Sequence, residues 1–260
     1  MAGSIIGGLV KSGHPADFIT AADPYPASLE KLAAIAPVRI CDSNAEAAAG
    51  ADIVVLAVKP QVMAEATASI ATAVQASGAV ALSIAAGVTI SSMQARLGEQ
   101  AAIVRCMPNT PALLGCGASA LYANKQASKQ QRAYSEAILE AVGVVSWVPS
   151  EQALDAITAL SGSGPAYFFL FMEAMVEAGI KLGLDRETAS LMTIQTALGA
   201  SRMAQENNLE LAELRRRVTS PGGTTERAVA SFQQNELNAI VLQAMQAAAD
   251  RAVEMAREMG

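Results

Sequence analysis

The sequence predicts an α/β chain in two parts: a parallel sheet covered by helices over residues 1–150, and an all-helical domain over residues 151–260. Three observations carry this. Short apolar runs alternate with amphipathic segments through the first half, the pattern of strands joined by helical crossovers. Pro149 then follows the last β-type run, and nothing strand-like comes after it. Beyond it lie long helical stretches rich in alanine and methionine, and their small side chains let helices approach closely.

The elements follow in order. Candidate strands are 18–23, 52–58, 80–85 and 103–107, and two further β-type runs, 118–122 and 142–148, complete the sheet. Ser43 with Glu46, and Ser128 with Gln131, have the spacing of a capping box at a helix start. Residues 66–95 carry no charge, but Gln75, Gly78 and many Ser and Thr interrupt them, so they read as helix, turn and strand and not as a membrane span. In the second half helices are expected over 165–182, 186–206, 209–217, 225–234 and 236–259. Gly183 and Asp185 separate the first two as C-terminal and N-cap signals. Arg215, Arg216 and Arg217 suit a final helical turn, where positive charge meets the negative end of the dipole.

Composition narrows the function classes. The chain is 52% hydrophobic and 16% charged, as a globular protein is, and its net charge of −6 with no long basic run argues against nucleic acid or an anionic membrane as partner. No basic region followed by an apolar signal core opens the chain, so it is expected to be cytoplasmic. The three cysteines, Cys41, Cys106 and Cys116, lack zinc or CxxC spacing and are expected to be buried free thiols; no metal site is expected. The one histidine, His14, sits in a Ser-Gly-His-Pro turn and reads as a solvent-exposed loop residue. Neither a paired-carboxylate site nor a Ser-His-Asp arrangement is readable.

Chemistry concentrates in Thr219-Ser220-Pro221-Gly222-Gly223-Thr224-Thr225, which runs directly into a helix. Successive amides from Gly222 to Thr225, the adjacent hydroxyls and the positive helix end together suit an anion, and the glycines let it approach the backbone. Three earlier segments accompany this loop: Ala57-Val58-Lys59-Pro60, Met107-Pro108-Asn109-Thr110-Pro111 and Ser161-Gly162-Ser163-Gly164-Pro165-Ala166-Tyr167. In this order the four resemble the pyrroline-5-carboxylate reductase family over essentially the whole chain.

The resemblance implies a Rossmann-type dinucleotide-binding domain at 1–150 and a helical substrate-binding and dimerisation domain at 151–260. It implies NAD(P)H-dependent reduction of the C=N bond of 1-pyrroline-5-carboxylate to L-proline. On it, Ser220, Gly222, Gly223, Thr224 and Thr225 hold the substrate, and Thr225 serves catalysis at the ring nitrogen. Met1, Ala2, Asp23, Asn44, Ala57, Val58, Lys59, Pro60, Asn109 and Thr110 line the cofactor. Asp23 closes a strand where an acid ordinarily favours NAD, yet the family commonly prefers NADPH and tolerates NADH; Pro24 and Tyr25 are positioned to turn that carboxylate away. The family forms homodimers that assemble further, which the faces carrying Ala244, Met245, Ala247, Ala248, Val253 and Met255 would suit.

The sequence departs from the family at its start. Met1 to Leu9 resembles the helix after the dinucleotide fingerprint, with Met1 and Ala2 as the fingerprint's last two positions, so the first strand and two glycines are expected to be missing through N-terminal truncation or a misassigned start. Two other readings stand beside the reductase. One is a two-domain β-hydroxyacid-type dehydrogenase, although the helix after the glycine-rich linker has no lysine before Lys181; the other is an inactive oligomerisation module.

Overall fold

Alternating strands and helices wind as the apolar pattern predicts. The computed structural model describes residues 1–259. Its Cα packing separates two compact units, Met1–Ser163 with the chain from Ala247 onward, and Gly164–Gln246.

The first unit is a Rossmann-like α/β fold. It runs α1 (Ala2–Lys11), β1 (Thr20–Ala21), α2 (Pro26–Ile35), β2 (Arg39–Ile40), α3 (Asn44–Ala48), β3 (Ile53–Leu56), α4 (Met63–Ser77), β4 (Val80–Ser83), α5 (Ile90–Leu97), β5 (Ile103–Met107), β6 (Gly117–Ala123), α6 (Lys129–Glu140), β7 (Gly143–Trp147) and α7 (Ala153–Ile157). Strands β3 to β7 form one sheet in sequence order, and β1 pairs with β2 in a separate parallel pair. Ser128 with Gln131 makes a complete capping box; at Ser43 only half of one forms, the Ser43 hydroxyl accepting from the Glu46 amide while the Glu46 carboxylate accepts the Asp42 amide instead.

Three differences from the sequence reading have identifiable causes. β5 and β6 are antiparallel, which corrects the expectation of an all-parallel sheet. Their connection is a short loop with a 3₁₀ turn at Thr110–Leu114, and a parallel pairing needs a longer crossover. β1 is shorter than expected because Ala16–Phe18 coils as a 3₁₀ turn after Pro15. β2, at two residues, is too short to show alternation in sequence.

Residues 151–163 pack with the first unit as α7 and a π-helical turn, Thr158–Gly162. Arg105 supplies the reason. It lies buried on β5, and a buried guanidinium requires a carboxylate. Glu151 reaches it at 2.6 Å, and the same oxygen accepts the Ile90 amide at 2.8 Å.

Two sets of side chains cover the sheet. Leu56, Ile70, Met93, Leu97 and Ile103 pack on one side, and Val80, Leu82, Val104, Leu121 and Leu139 form a second cluster.

The second unit is helical throughout: α8 (Gly164–Lys181), α9 (Arg186–Glu206), α10 (Leu211–Arg217), α11 (Thr224–Gln234) and the start of α12 (Leu237–Met259). Gly183 turns the chain at φ +102°, and the Asp185 carboxylate accepts the Thr188 amide at the start of α9. That bond holds the Asp185 carboxyl below its ordinary range. The Phe171 and Phe232 rings, 5.9 Å apart, join α8 to α11. No described helix is long and apolar enough to cross a membrane.

Candidate active site

The predicted cofactor residues lie in the first unit. β3, β4 and β5 are mutually parallel, so their carboxyl ends share one edge, where open α/β sheets receive ligands. Ala57 and Lys59 are exposed there, directly after β3, and Pro60 opens a single 3₁₀ turn into α4. Asn44 begins α3, and its side-chain amide donates to the Ser69 hydroxyl on α4, which links it to the helix following Lys59 and Pro60. Ser43 is the cap of α3, so Asn44 is not needed for capping.

Asn109 behaves differently from an exposed ligand residue. Its carbonyl oxygen accepts the Ala118 amide at 2.9 Å, and its amide donates to the Ser161 carbonyl at 3.0 Å. It therefore ties the end of β5 to the start of β6 and to the π turn. Close by, Gly162 lies against the end of the Met107 side chain. Thr110, next along, is exposed.

Helix α1 packs Ile5 against Ala112 and Val142, which sets Met1 and Ala2 on the helix adjoining the 110–114 turn. The Met1 carbonyl accepts the Ser4 and Ile5 amides. The Ser4 hydroxyl is buried without a partner among the described residues. Asp23 is exposed, and its carboxylate accepts the Tyr25 amide at 2.8 Å, so it folds back into its own turn ahead of α2.

The predicted substrate residues lie in the second unit, between α10 and α11. Thr219 Oγ1 donates to the Arg215 carbonyl at 2.6 Å and closes α10. Ser220 to Gly223 then form a type II turn: Pro221 leads, Gly222 takes φ +74°, and the Gly223 amide donates to the Ser220 carbonyl at 3.0 Å. The Gly222 amide donates to the Glu226 carboxylate at 2.8 Å. Two of the four amides that the sequence offered to an anion are thus engaged inside the loop. Those of Thr224 and Thr225, in the first turn of α11, have no intrachain acceptor among the described residues. Gly223 is the cap of α11 and no side chain caps that helix, so Thr225 has no capping role.

Several features escaped the sequence reading. The Glu226 contact was foreshadowed by a Glu at the third position of a helix, where a side chain can reach back across the first turn. The Arg105–Glu151 pair and the Asn109–Ser161 bond join residues far apart in sequence, and no local signal announces them. Burial pushes the Cys106 thiol up to about 12, against a weaker lowering by Ser119, so it is no nucleophile. Cys41 is buried as expected; Cys116 is exposed, because it sits at the end of the surface 3₁₀ turn. His14 is exposed.

Comparison with known proteins bears on this arrangement. Residues 151–255 match the family model for pyrroline-5-carboxylate reductase dimerisation, and residues 1–87 match that for NADP oxidoreductase, coenzyme F420-dependent. The pyrroline-5-carboxylate reductase of Pseudomonas aeruginosa is 53% identical over 260 residues, covering 100% of this chain and 95% of that protein. The chain belongs to the pyrroline-5-carboxylate reductase family.

Solved pyrroline-5-carboxylate reductases share its fold. That from Coxiella burnetii superposes with a TM-score of 0.95 at 41% identity, covering 98% of this chain and 94% of the other. The Plasmodium falciparum enzyme, solved with NADP bound, gives 0.84 at 28% identity over 97% and 93%. These relatives favour the reductase over both the β-hydroxyacid dehydrogenase and the inactive module. The match to a dimerisation model also makes the chain a homo-oligomer of this family.

Proposed function

We propose that this chain reduces the C=N bond of 1-pyrroline-5-carboxylate to give L-proline, the last step of proline biosynthesis, using NADPH and, less well, NADH. The observation that carries this is the Ser220 to Thr225 loop, with two amides at the N-terminus of α11 that have no intrachain acceptor among the described residues, in a chain of this family. An anionic substrate suits those donors and the helix dipole.

In this reading the Thr224 and Thr225 amides and the Ser220 hydroxyl hold the substrate carboxylate, while Gly222 and Gly223 shape the turn that presents them. The half-buried Thr225 hydroxyl hydrogen-bonds the ring nitrogen. A threonine is too weak an acid to protonate the ring fully, so its part is to orient an iminium or relay a proton from water. Positioning and electrostatics then lower the barrier, with no strong base.

NADPH, when bound, supplies the hydride. Its site draws on Met1, Ala2, Asp23, Asn44, Ala57, Val58, Lys59, Pro60, Asn109 and Thr110. The fit is supported by the α1 N-terminus, where the Ala2 and Gly3 amides have no intrachain acceptor among the described residues and the Ser4 hydroxyl is buried unpartnered, an arrangement suited to phosphate oxygens. The Asp23 carboxylate is occupied by the Tyr25 amide, which supports NADPH over NADH. Asn109 would contribute through its backbone, since its side chain is engaged on both sides.

Residues 1–150 would serve the dinucleotide, and 151–260 the substrate and dimerisation. The protein would act in the cytoplasm as homodimers assembling into a higher homo-oligomer.

The test is oxidation of NADPH and NADH by the purified chain with pyrroline-5-carboxylate, beside Thr225→Ala. Turnover with the wild type, and a variant that loses about 10²-fold or more in kcat with a smaller change in KM, is expected for a hydroxyl acting in the chemistry. A variant changed only in KM removes the hydroxyl from the chemistry, and no wild-type turnover with either nucleotide removes the reading.

A further inference from the structure

The loop between α10 and α11 contains a contact that neither the motif nor the family assignment provides for. The Gly222 amide is the central amide of the type II turn, and in such a turn it points away from the turn's own hydrogen bond. Left alone it would face solvent. Instead the carboxylate of Glu226, third residue of α11, accepts it at 2.8 Å.

This closes a ring. One end is the turn Ser220–Gly223, held by the Gly223 amide on the Ser220 carbonyl at 3.0 Å; the other is the first turn of α11, begun by Arg227 bonding back to the Gly223 carbonyl. Between them lie Thr224 and Thr225, whose amides have no intrachain acceptor among the described residues. Gly222 sits in the left-handed region at φ +74°, and a Cβ on Gly223 would meet the Ser220 carbonyl oxygen at 3.0 Å, so the turn has little latitude. Its remaining freedom is rotation of the whole turn against the helix. Glu226 removes that freedom.

We propose that Glu226 is a positioning residue for substrate binding: by accepting the Gly222 amide it locks the Ser220–Gly223 turn onto α11, so that the Ser220 hydroxyl and the Thr224 and Thr225 amides converge on one carboxylate. This rests on the reading of the loop as the carboxylate-binding site of a pyrroline-5-carboxylate reductase. The working part of Glu226 is its acceptor oxygen at this reach and not its charge. Its charge opposes an anionic ligand at the same helix end, so the residue is a compromise between order and repulsion.

Three variants of the full chain separate the possibilities, assayed for pyrroline-5-carboxylate reduction with NADPH. Glu226→Gln keeps an acceptor at the same length; Glu226→Asp keeps the charge but withdraws it by one methylene; Glu226→Ala removes both. The expected result is a KM for pyrroline-5-carboxylate raised about tenfold in the Ala and Asp variants, the loss of the one hydrogen bond that holds the turn, with kcat within about twofold. KM for NADPH should stay unchanged, and Glu226→Gln should match or fall below the wild-type KM.

Glu140→Gln, an exposed change on α6, controls for net charge. A Gln variant as impaired as Ala, with Asp at wild type, would assign the effect to charge and overturn the proposal. So would unchanged KM in Ala and Asp, or altered melting temperature alone. A wild type without pyrroline-5-carboxylate turnover defeats the underlying reading instead, and that outcome is seen before any variant is compared.

Discussion

Val80, Leu82, Ile103 and Val104 on the central strands are wholly buried, whereas Phe168, Leu170, Leu191 and Ile194 on α8 and α9 are 66%, 67%, 60% and 60% exposed. Both regions are rich in apolar residues, so composition alone does not distinguish them. The sheet buries its side chains within one chain because crossover helices return to cover it. The helices of the second unit leave wide apolar faces open, with Ala189 and Thr193 buried on α9 and much of the rest exposed. A face of that extent calls for another protein surface, and in a family with a dimerisation model the natural cover is a second copy. The first unit is therefore closed by its own core, while the second leaves apolar faces open.

That contrast can be broken directly. The largest effect is expected from Ile194→Asp combined with Leu191→Asp on α9. Both residues are exposed within one chain, so the changes cost little in an isolated copy, but a charge buried between copies is severe. Sedimentation velocity should show a smaller species than the wild type; an unchanged sedimentation coefficient would place the interface elsewhere.

The two regions should also respond differently to loss of an ion pair. In the first unit Glu151→Ala strands Arg105, whose side chain is 9% exposed, at a cost of about 3–5 kcal/mol. In the second unit Glu213→Ala frees Arg216 and Arg217, which are 74% and 58% exposed, at a cost below about 1 kcal/mol. Urea unfolding at fixed protein concentration measures both. Equal losses would mean that burial does not set the difference.

The smallest effect concerns Asp155, beside the buried pair. Burial raises its carboxyl pKa, Arg105 lowers it and Glu151 raises it, with burial the largest cause. The fold thus favours the protonated form. Its contribution to stability is full below the ordinary carboxylate range, about pH 4, and is lost as pH rises through the raised value. Asp155→Asn should melt slightly above the wild type at pH 7, and the gap should close toward pH 4. A gap that persists at low pH would point to packing instead of charge.

Local signals carried much of this molecule. The capping box at Ser128 and Gln131, the cap at Asp185 and the helix-ending Gly183 each depend on residues within four positions of one another, so a linear reading finds them. The five helices of the second half and the strands at 53–56, 80–83 and 103–107 lie within a few residues of the expected spans for the same reason. The candidate site residues, which the resemblance to the family suggests, lie on loops and at helix starts between these elements.

Tertiary structure decided what depends on distant partners. Gly143 lies so close to Gly117 that a Cβ there would run into the Gly117 backbone, and only the β6–β7 register makes that glycine necessary. The capture of residues 151–163 by Arg105 and the engagement of Asn109 with Ser161 are of the same kind. A chain records its local conformational preferences residue by residue, but pairings across 40 or 50 positions form only when the whole core has condensed, and their cost and benefit are settled there.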